Sequence, residues 1–414
     1  MSAENGHNFR KIARRAGLAA GGVIAAGAIG GAAIRQMRVH ASESGSAISS
    51  FVRDRFGNER AVQLEGILFA YDDTINGIVS QGEQMLTGIL GEELPKQEKK
   101  PISHTITKSI DKSIEASDAS SLSKAPEQTR PPLFFPDIKP THENLQPGEG
   151  YWTTEGLPNP SPDDIVIAET IVHPDVDRPK ATVKVFLIDK QRIDLHMTGG
   201  IKSPGADLGI VGPGKIPEKD LPKLFAAWNG GFQGTHAPDY GMYADGQEYR
   251  PFNDGLASLV IFKDGTVKIG QWGRDFTQRT ENMVAVRQNT VLLVDDGVIS
   301  PIINESVTFG LVNIGDTTNF ITWRSAIGLT EKGDLLVAAG NQLNQVNMAR
   351  AMQAVGAKYA MLLDNNLPYV QTVLAYQQPD GSSKLMNTMD FMSADPNRYT
   401  NGGYLYDFMW ATKK

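Results

Sequence analysis

Cysteine is absent from the 414-residue chain. That removes disulfide staples, thiolate metal sites and a cysteine nucleophile from consideration. It leaves the compartment undecided, because exported proteins also dispense with cysteine. A basic excess is missing too: 40 Lys and Arg stand against 47 Asp and Glu, a net charge of −7. Bulk electrostatics therefore argue against a nucleic-acid partner, and no acidic tail is present. Glycine (42) and proline (23) are abundant, as in a turn-rich β or α+β domain. The length allows one large domain or two medium ones with extra segments.

The N-terminus reads as an address. Arg10, Lys11, Arg14 and Arg15 precede the uncharged run AGLAAGGVIAAGAIGGAAI, residues 16–34. Its length just suffices to span a bilayer as a helix, and the preceding positive charge places the rest of the chain outside. Residues 1–41 fit a signal anchor, or a cleaved signal with a site at Val39–Ala41. Arg14–Arg15 also fits a twin-arginine signal, although the residues after the pair match poorly; a buried cytosolic helix is the plain alternative. Membrane contact through this helix, and an exported location, are the expectations.

Residues 48–92 carry an amphipathic stripe (Val62, Ile67, Leu68, Tyr71, Ile75, Ile78, Val79) and are expected to form a helical stalk. Residues 93–150 are rich in Lys, Ser, Glu and Pro and are expected to be a disordered linker. The folded module is placed at 160–414, a single α+β domain dominated by sheet. ATVKVFLID (Ala181–Asp189) alternates like a half-buried strand. Hairpin turns are expected at Asp264–Gly265 and Asp296–Gly297, with both turn residues at positive φ, and at Lys332–Gly333 or its neighbours. One helix, NQVNMARAMQAVG, has Asn344 as N-cap, Gly356 at C′, and Met348, Ala351, Met352 and Val355 on one face. It crosses over to the short buried strand AKYAMLLD.

Two places concentrate chemistry. In AAWNGGFQGTHAPDYGMYADG, the run Asn229, Gly230, Gly231 allows close backbone approach, and His236 and Asp239 follow in the same loop as candidate acid/base groups. A glycine-rich bend with a solvated histidine is the structural alternative. The second is TWRSAIG together with AMLLDNN. Arg324 at the start of a buried β-run suits recognition of phosphate or carboxylate, or a structural ion pair with Asp364. Asp239, Asp245, Glu248 and Asp364 are hard oxygen ligands, but their spacing does not argue for a metal.

The order of WNGGF, DYGMYADG, LVIFKDG, LLVDDGVI, WRSAIGLTEKGDLLV and MARAMQAVGAKYAMLLD resembles the phosphodiester glycosidase family, of the uncovering-enzyme type, over about residues 165–414. The resemblance implies hydrolysis of the bond between a sugar's anomeric carbon and a phosphate oxygen, with no cofactor. It implies Arg324 on the phosphate, Asp364 as the carboxylate, and His236 or Asp239 as auxiliary acid/base. Asn229, Gly230 and Gly231, with Asn365 and Asn366, would contact substrate.

The chain departs from the family at Asp364. Where the family has Asp-Gly-Gly-Gly-Ser, this chain has Asp364, Asn365, Asn366, Leu367 and Pro368. Asparagine tolerates left-handed φ, but Leu367 does not readily, and Pro368 removes a backbone donor. Two readings follow: an envelope or exopolysaccharide hydrolase acting on a sugar phosphodiester, or a non-catalytic carbohydrate-binding protein on the same fold.

Overall fold

The computed structural model describes residues 132–142, 145, 148–175, 178, 181–235, 237–303, 321–365, 369–378, 382–390, 392 and 394–414. The expected leader (1–41), stalk (48–92) and most of the expected linker lie outside them. Among the described residues no helix is long and apolar enough to cross a membrane.

Among the described residues there are seventeen strands. They are β1 (Ile167–Val172), β2 (Val183–Ile188), β3 (Ile193–Thr198), β4 (Leu224–Asn229), β5 (Met242–Ala244), β6 (Gln247–Arg250), β7 (Ala257–Phe262), β8 (Val267–Gln271) and β9 (Met283–Asn289). There follow β10 (Leu292–Asp295), β11 (Val298–Ile299), β12 (Thr322–Thr330), β13 (Leu335–Leu343), the helix α1 (Gln345–Ala354), β14 (Ala357–Asn365), β15 (Thr372–Gln377), β16 (Ser383–Asn387) and β17 (Phe408–Lys413). They build three sheets, ordered β1-β2-β13-β12-β14-β10-β11, β16-β15-β4-β17-β3 and β6-β5-β9-β7-β8. β13 and β14 both run antiparallel to β12. They are therefore parallel to each other, and α1 is the crossover between them. A sheet-dominated module with one crossover helix is what the sequence pattern implies.

The largest sheet has a core on each face. Phe186, Ile188, Ile327, Met361 and Leu363 face the other sheets. Val183, Val185, Leu187, Ala326 and Leu362 face α1. This explains why β2 is almost wholly buried rather than half-buried as its sequence suggests: its alternation sorts one apolar set to each core. α1 carries Met348, Ala351, Met352 and Val355 fully buried. The Asn344 side chain caps it by accepting the Asn347 amide at 2.8 Å, and Gly356 closes it at φ +82°.

Two sequence expectations are corrected. At the hairpin turns only Asp296–Gly297 has both residues at positive φ; in β7–β8 the turn is longer, Gly265 alone is left-handed, and Asp264 instead accepts the Thr266 amide at 2.8 Å. The ordered module also starts upstream of residue 160. Residues 132–142 were expected within the linker, yet Leu133 is buried against the α1 core. The Lys139 amide donates to the Ala354 carbonyl at 2.8 Å, and the Trp152 indole donates to the Pro136 carbonyl at 2.8 Å. The run PLFFPDI supplies apolar area that the Lys/Ser-rich stretch before it lacks, so averaging over the whole segment hid it.

Candidate active site at the end of strand β14

Strand β4 is buried along its whole length and delivers Asn229 between two sheets. The Asn229 amide nitrogen donates to Ser325 Oγ at 2.8 Å and to the Gly230 carbonyl at 3.1 Å. Its oxygen accepts the Gln371 amide at 3.1 Å. The Gly230 amide donates to the Asp407 carbonyl at 3.0 Å, and the Asp364 amide donates to the Gly230 carbonyl at 2.8 Å. The Gly231 amide donates to the Asp407 carboxylate at 3.0 Å. Asp407 in turn receives Arg287 through Nε (2.8 Å) and Nη2 (3.1 Å). A Cβ on Gly230 would strike the Asp407 carboxylate, and one on Gly231 would stand 2.7 Å from the Arg287 guanidinium carbon. Asn229, Gly230 and Gly231 thus form a clasp that ties β12, the end of β14 and the residues leading into β15 and β17 together through Ser325, Asp364, Gln371 and Asp407.

Asp364 is the penultimate residue of β14. Arg324 pairs with Asn365, whereas Ala326 pairs with Leu362, so one extra residue sits in β14 opposite Ser325. This bulge turns Asp364, like Leu363, toward the inter-sheet side, where Ser325 Oγ donates to its carbonyl at 2.8 Å. Asn365 follows Arg324 toward the α1 side. One Asp364 carboxylate oxygen accepts the Asn365 amide at 2.8 Å. Asp364 is only 8 % exposed. Burial drives its carboxyl well above the usual carboxylate range; Asp407 pushes the same way, while the Asn365 amide, Arg287 and Arg398 oppose it.

After Arg287, the cation whose charge acts on Asp364 is Arg398, which is partly open to solvent. Its Nη2 donates to the Tyr369 carbonyl and to the Tyr399 hydroxyl, each at 2.9 Å. Its guanidinium lies 5.0 Å from the Tyr399 ring centre and 4.8 Å from that of Tyr404. Burial works against its charge, but Tyr399, Tyr404 and Asp364 outweigh burial and hold it above its ordinary value. Tyr399, Tyr404 and Tyr406 all have phenols raised by burial first, with the Asp364 charge adding to each. They stay neutral donors at neutral pH. Tyr369 meets Tyr406 edge-on at 5.2 Å. Tyr399 and Tyr404 thus flank the Arg398 guanidinium, and the Asp364 charge acts on both and on Tyr406.

Arg324 occupies a different place from the one its motif suggests. It is fully buried, and its Nε donates to the Leu343 carbonyl at 2.9 Å. Burial alone lowers it, to about 9. It stands opposite Asn365 in the β12–β14 ladder, and the register shift beside it puts Asp364 out of phase with it. On the Arg324 side the amides of Asn365 and Gln345 are buried, and neither side chain has a hydrogen-bond partner. Asp239 is exposed, and its carbonyl accepts the Asn253 amide at 2.7 Å; no contact among the described residues joins it to Asp364. His236 and Asn366 lie outside the described residues, as do Leu367 and Pro368. Among the described residues no three His, Asp or Glu side chains converge as a metal-binding set.

Two groups went unseen in the sequence. Arg287 sits in an ordinary alternating strand, VAVRQN, and nothing local marks it. Arg398 had a usable signal: RYTNGGYLYD places tyrosines at 399, 404 and 406 around an arginine, just before a terminal strand.

With this geometry in place, the comparisons with known proteins fall as follows. Residues 223–364 match the phosphodiester glycosidase family. The matched stretch runs from WNGGF to the aspartate of MLLD, so the resemblance holds there, and it stops where the Asn365 loop begins. Among solved structures, the chain is similar to the zebrafish N-acetylglucosamine-1-phosphodiester alpha-N-acetylglucosaminidase catalytic domain, auto-inhibited by its pro-peptide. That likeness has 19 % identity, covers 62 % of this chain and 87 % of that one, and has a TM-score of 0.41. A hypothetical protein from Synechocystis shows 11 % identity over 60 % of this chain and 62 % of that one, TM-score 0.33. A putative exported protein from Burkholderia pseudomallei shows 14 % identity over 56 % and 74 %, TM-score 0.27. No curated protein matches.

Proposed function

We propose that this protein is a hydrolase of sugar phosphodiesters whose reacting centre lies at the end of β14. The observation that supports this most is the buried Asp364 carboxyl at the end of β14, electrostatically coupled to the Arg398 guanidinium that rests on Tyr399 and Tyr404. The family match over residues 223–364 supports the reaction class. In this reading Arg398 holds the phosphodiester's negative charge, a role that the fully buried Arg324 does not take. Tyr404 and Tyr406 donate to substrate oxygens. A phosphate leaving group is a weak base and needs little protonation. Asp364 therefore serves at the anomeric carbon, either by activating water or by stabilising positive charge there. A carboxylate with a raised pKa is a stronger base near neutrality.

The substrate class is an envelope or exopolysaccharide glycoconjugate, acted on outside the cytoplasm. The basic residues and apolar run at 10–34 support an exported or tethered location. A second reading, a carbohydrate-binding protein without turnover, is favoured by the low exposure of Asp364. One experiment separates them: release of N-acetylglucosamine from its 1-phosphodiesters by the full chain, beside Asp364→Asn. Turnover by the wild type that Asp364→Asn lacks supports the enzyme. Saccharide binding with no turnover in either protein supports the second reading.

A further inference from the structure

At the opposite end of β14, near Lys358 and Tyr359, the surface opens into a cleft of about 830 Å³ between the β7–β8 hairpin, the segment 275–283 and the β12–β13 turn. Six residues separate Lys358 from Asp364, so at roughly 3.3 Å per residue the cleft lies about 20 Å from the reacting end. Phe262, Phe276 and Tyr359 supply aromatic surface; Gln278 and Asn282 supply amides; Lys268 supplies a cation.

Most of the charge around the cleft is already neutralised. Arg274 donates to Asp275 at 2.7 Å. Lys358 is held between Asp296 at 2.7 Å and Glu331 at 2.8 Å. Lys268 instead stands 5.7 Å from the centre of the Phe262 ring and has no ion-pair partner among the described residues. Gln278 is exposed, as are Thr277 and Thr280. The Thr280 hydroxyl donates to the Asn282 side-chain oxygen, so what remains for a ligand is aromatic surface beside the Gln278 amide, the Asn282 amide nitrogen, the Thr277 hydroxyl and one ammonium. An apolar ligand would leave those amides without partners, at a cost. A strongly anionic polymer would find one uncommitted cation against an overall net charge of −7. A sugar chain meets both demands: its C–H faces lie on aromatic rings and its hydroxyls exchange hydrogen bonds with amides and hydroxyls.

We propose that this cleft is a second saccharide-binding site, taking a neutral oligosaccharide and anchoring an extended glycan away from the reacting end. Beyond the family match, the cleft adds its own chemistry, and binding there does not require that Asp364 perform catalysis.

The test is calorimetric titration of the full-length protein with three neutral tetrasaccharides: chitotetraose, cellotetraose and maltotetraose. At least one is expected to bind, and both Phe262→Ala and Gln278→Ala are expected to weaken it about tenfold. Asp364→Asn is expected to bind as tightly as wild type. Gln278 is exposed, so its variant reports on binding without loss of core packing. Absence of binding by all three sugars, or unchanged affinity in Gln278→Ala together with Phe262→Ala, overturns the proposal. Loss of binding in Asp364→Asn with retention in the cleft variants overturns it too, by placing the sugar at the reacting end. Loss of turnover in Asp364→Asn with tetrasaccharide binding intact separates the two proposals.

Discussion

Two arginine–aspartate regions lie beside one another between the sheets, and they use charge differently. Around Arg287 and Asp407 the partners are saturated: Nε and Nη2 join the guanidinium to the carboxylate, Nη2 also donates to the Phe232 carbonyl and Nη1 to the Gln288 carbonyl, and the Gly231 amide completes Asp407. Both side chains are at most 1 % exposed. Around Arg398 and Asp364 burial raises the carboxyl, the guanidinium rests on aromatic rings, and Tyr404 and Tyr406 are half-buried. A saturated buried pair fixes structure; a carboxyl held away from its ordinary pKa beside a stacked cation is ready to react. On the proposed reading, Arg287–Asp407 belongs to the scaffold and Asp364–Arg398 to the reacting centre.

The largest effect that tests this division is on rate. Asp364→Asn is expected to lower kcat by about 10²–10⁴-fold, measured by steady-state hydrolysis, while the protein remains folded by circular dichroism. A comparable loss appears as stability on the other side. Arg287→Ala leaves a buried carboxylate without its cation and is expected to cost about 3–5 kcal/mol in urea unfolding. The double replacement Arg287→Met with Asp407→Leu should recover most of that cost, since no charge is then stranded. Equal stability of the single variant and wild type would show that Arg287 is not a scaffold residue.

The pH dependence sharpens the contrast. The Asp364 pKa is raised on folding, so the native state holds its proton to higher pH than the unfolded chain. This group's contribution therefore favours the folded state at low pH, and it is lost as pH rises through the unfolded and then the folded pKa. Asp364→Asn removes that dependence and is expected to raise Tm at neutral pH more than at pH 4. In rate, kcat/KM for the wild type should rise with pH through the elevated Asp364 pKa, and the variant should lack that limb. The smallest effect falls on the far face: Gln345→Leu removes an amide without a partner and is expected to stabilise by about 1 kcal/mol with turnover unchanged. A loss of turnover would place ligand on the α1 face.

Much of the scaffold was legible in the sequence. Asp-Gly and Lys-Gly turns, the Asn344 cap and the Met348–Val355 stripe announced the hairpins and the crossover helix, because each depends on a few neighbouring residues. The site was less legible. Asp364 stood out by ending an apolar run, and Asn229–Gly231 by its glycines, but the glycines serve close packing against Arg287 and Asp407. One extra residue between Leu362 and Asn365 shifts β14 against β12 beside Arg324, and a bulge leaves no mark in the hydrophobic pattern. Arg398 reaches Asp364 only through three-dimensional packing of the C-terminal loop, which no local periodicity encodes.

The central claim is that Arg398, rather than Arg324, is the cation that works with Asp364. The direct measurement is kcat/KM for an N-acetylglucosamine-1-phosphodiester in Arg398→Met and Arg324→Met, normalised to folded protein. Arg398→Met is expected to fall about tenfold to a hundredfold, the worth of one charge-assisted hydrogen bond, and Arg324→Met to stay near wild type. A large loss in Arg324→Met with Arg398→Met unaffected would contradict the account.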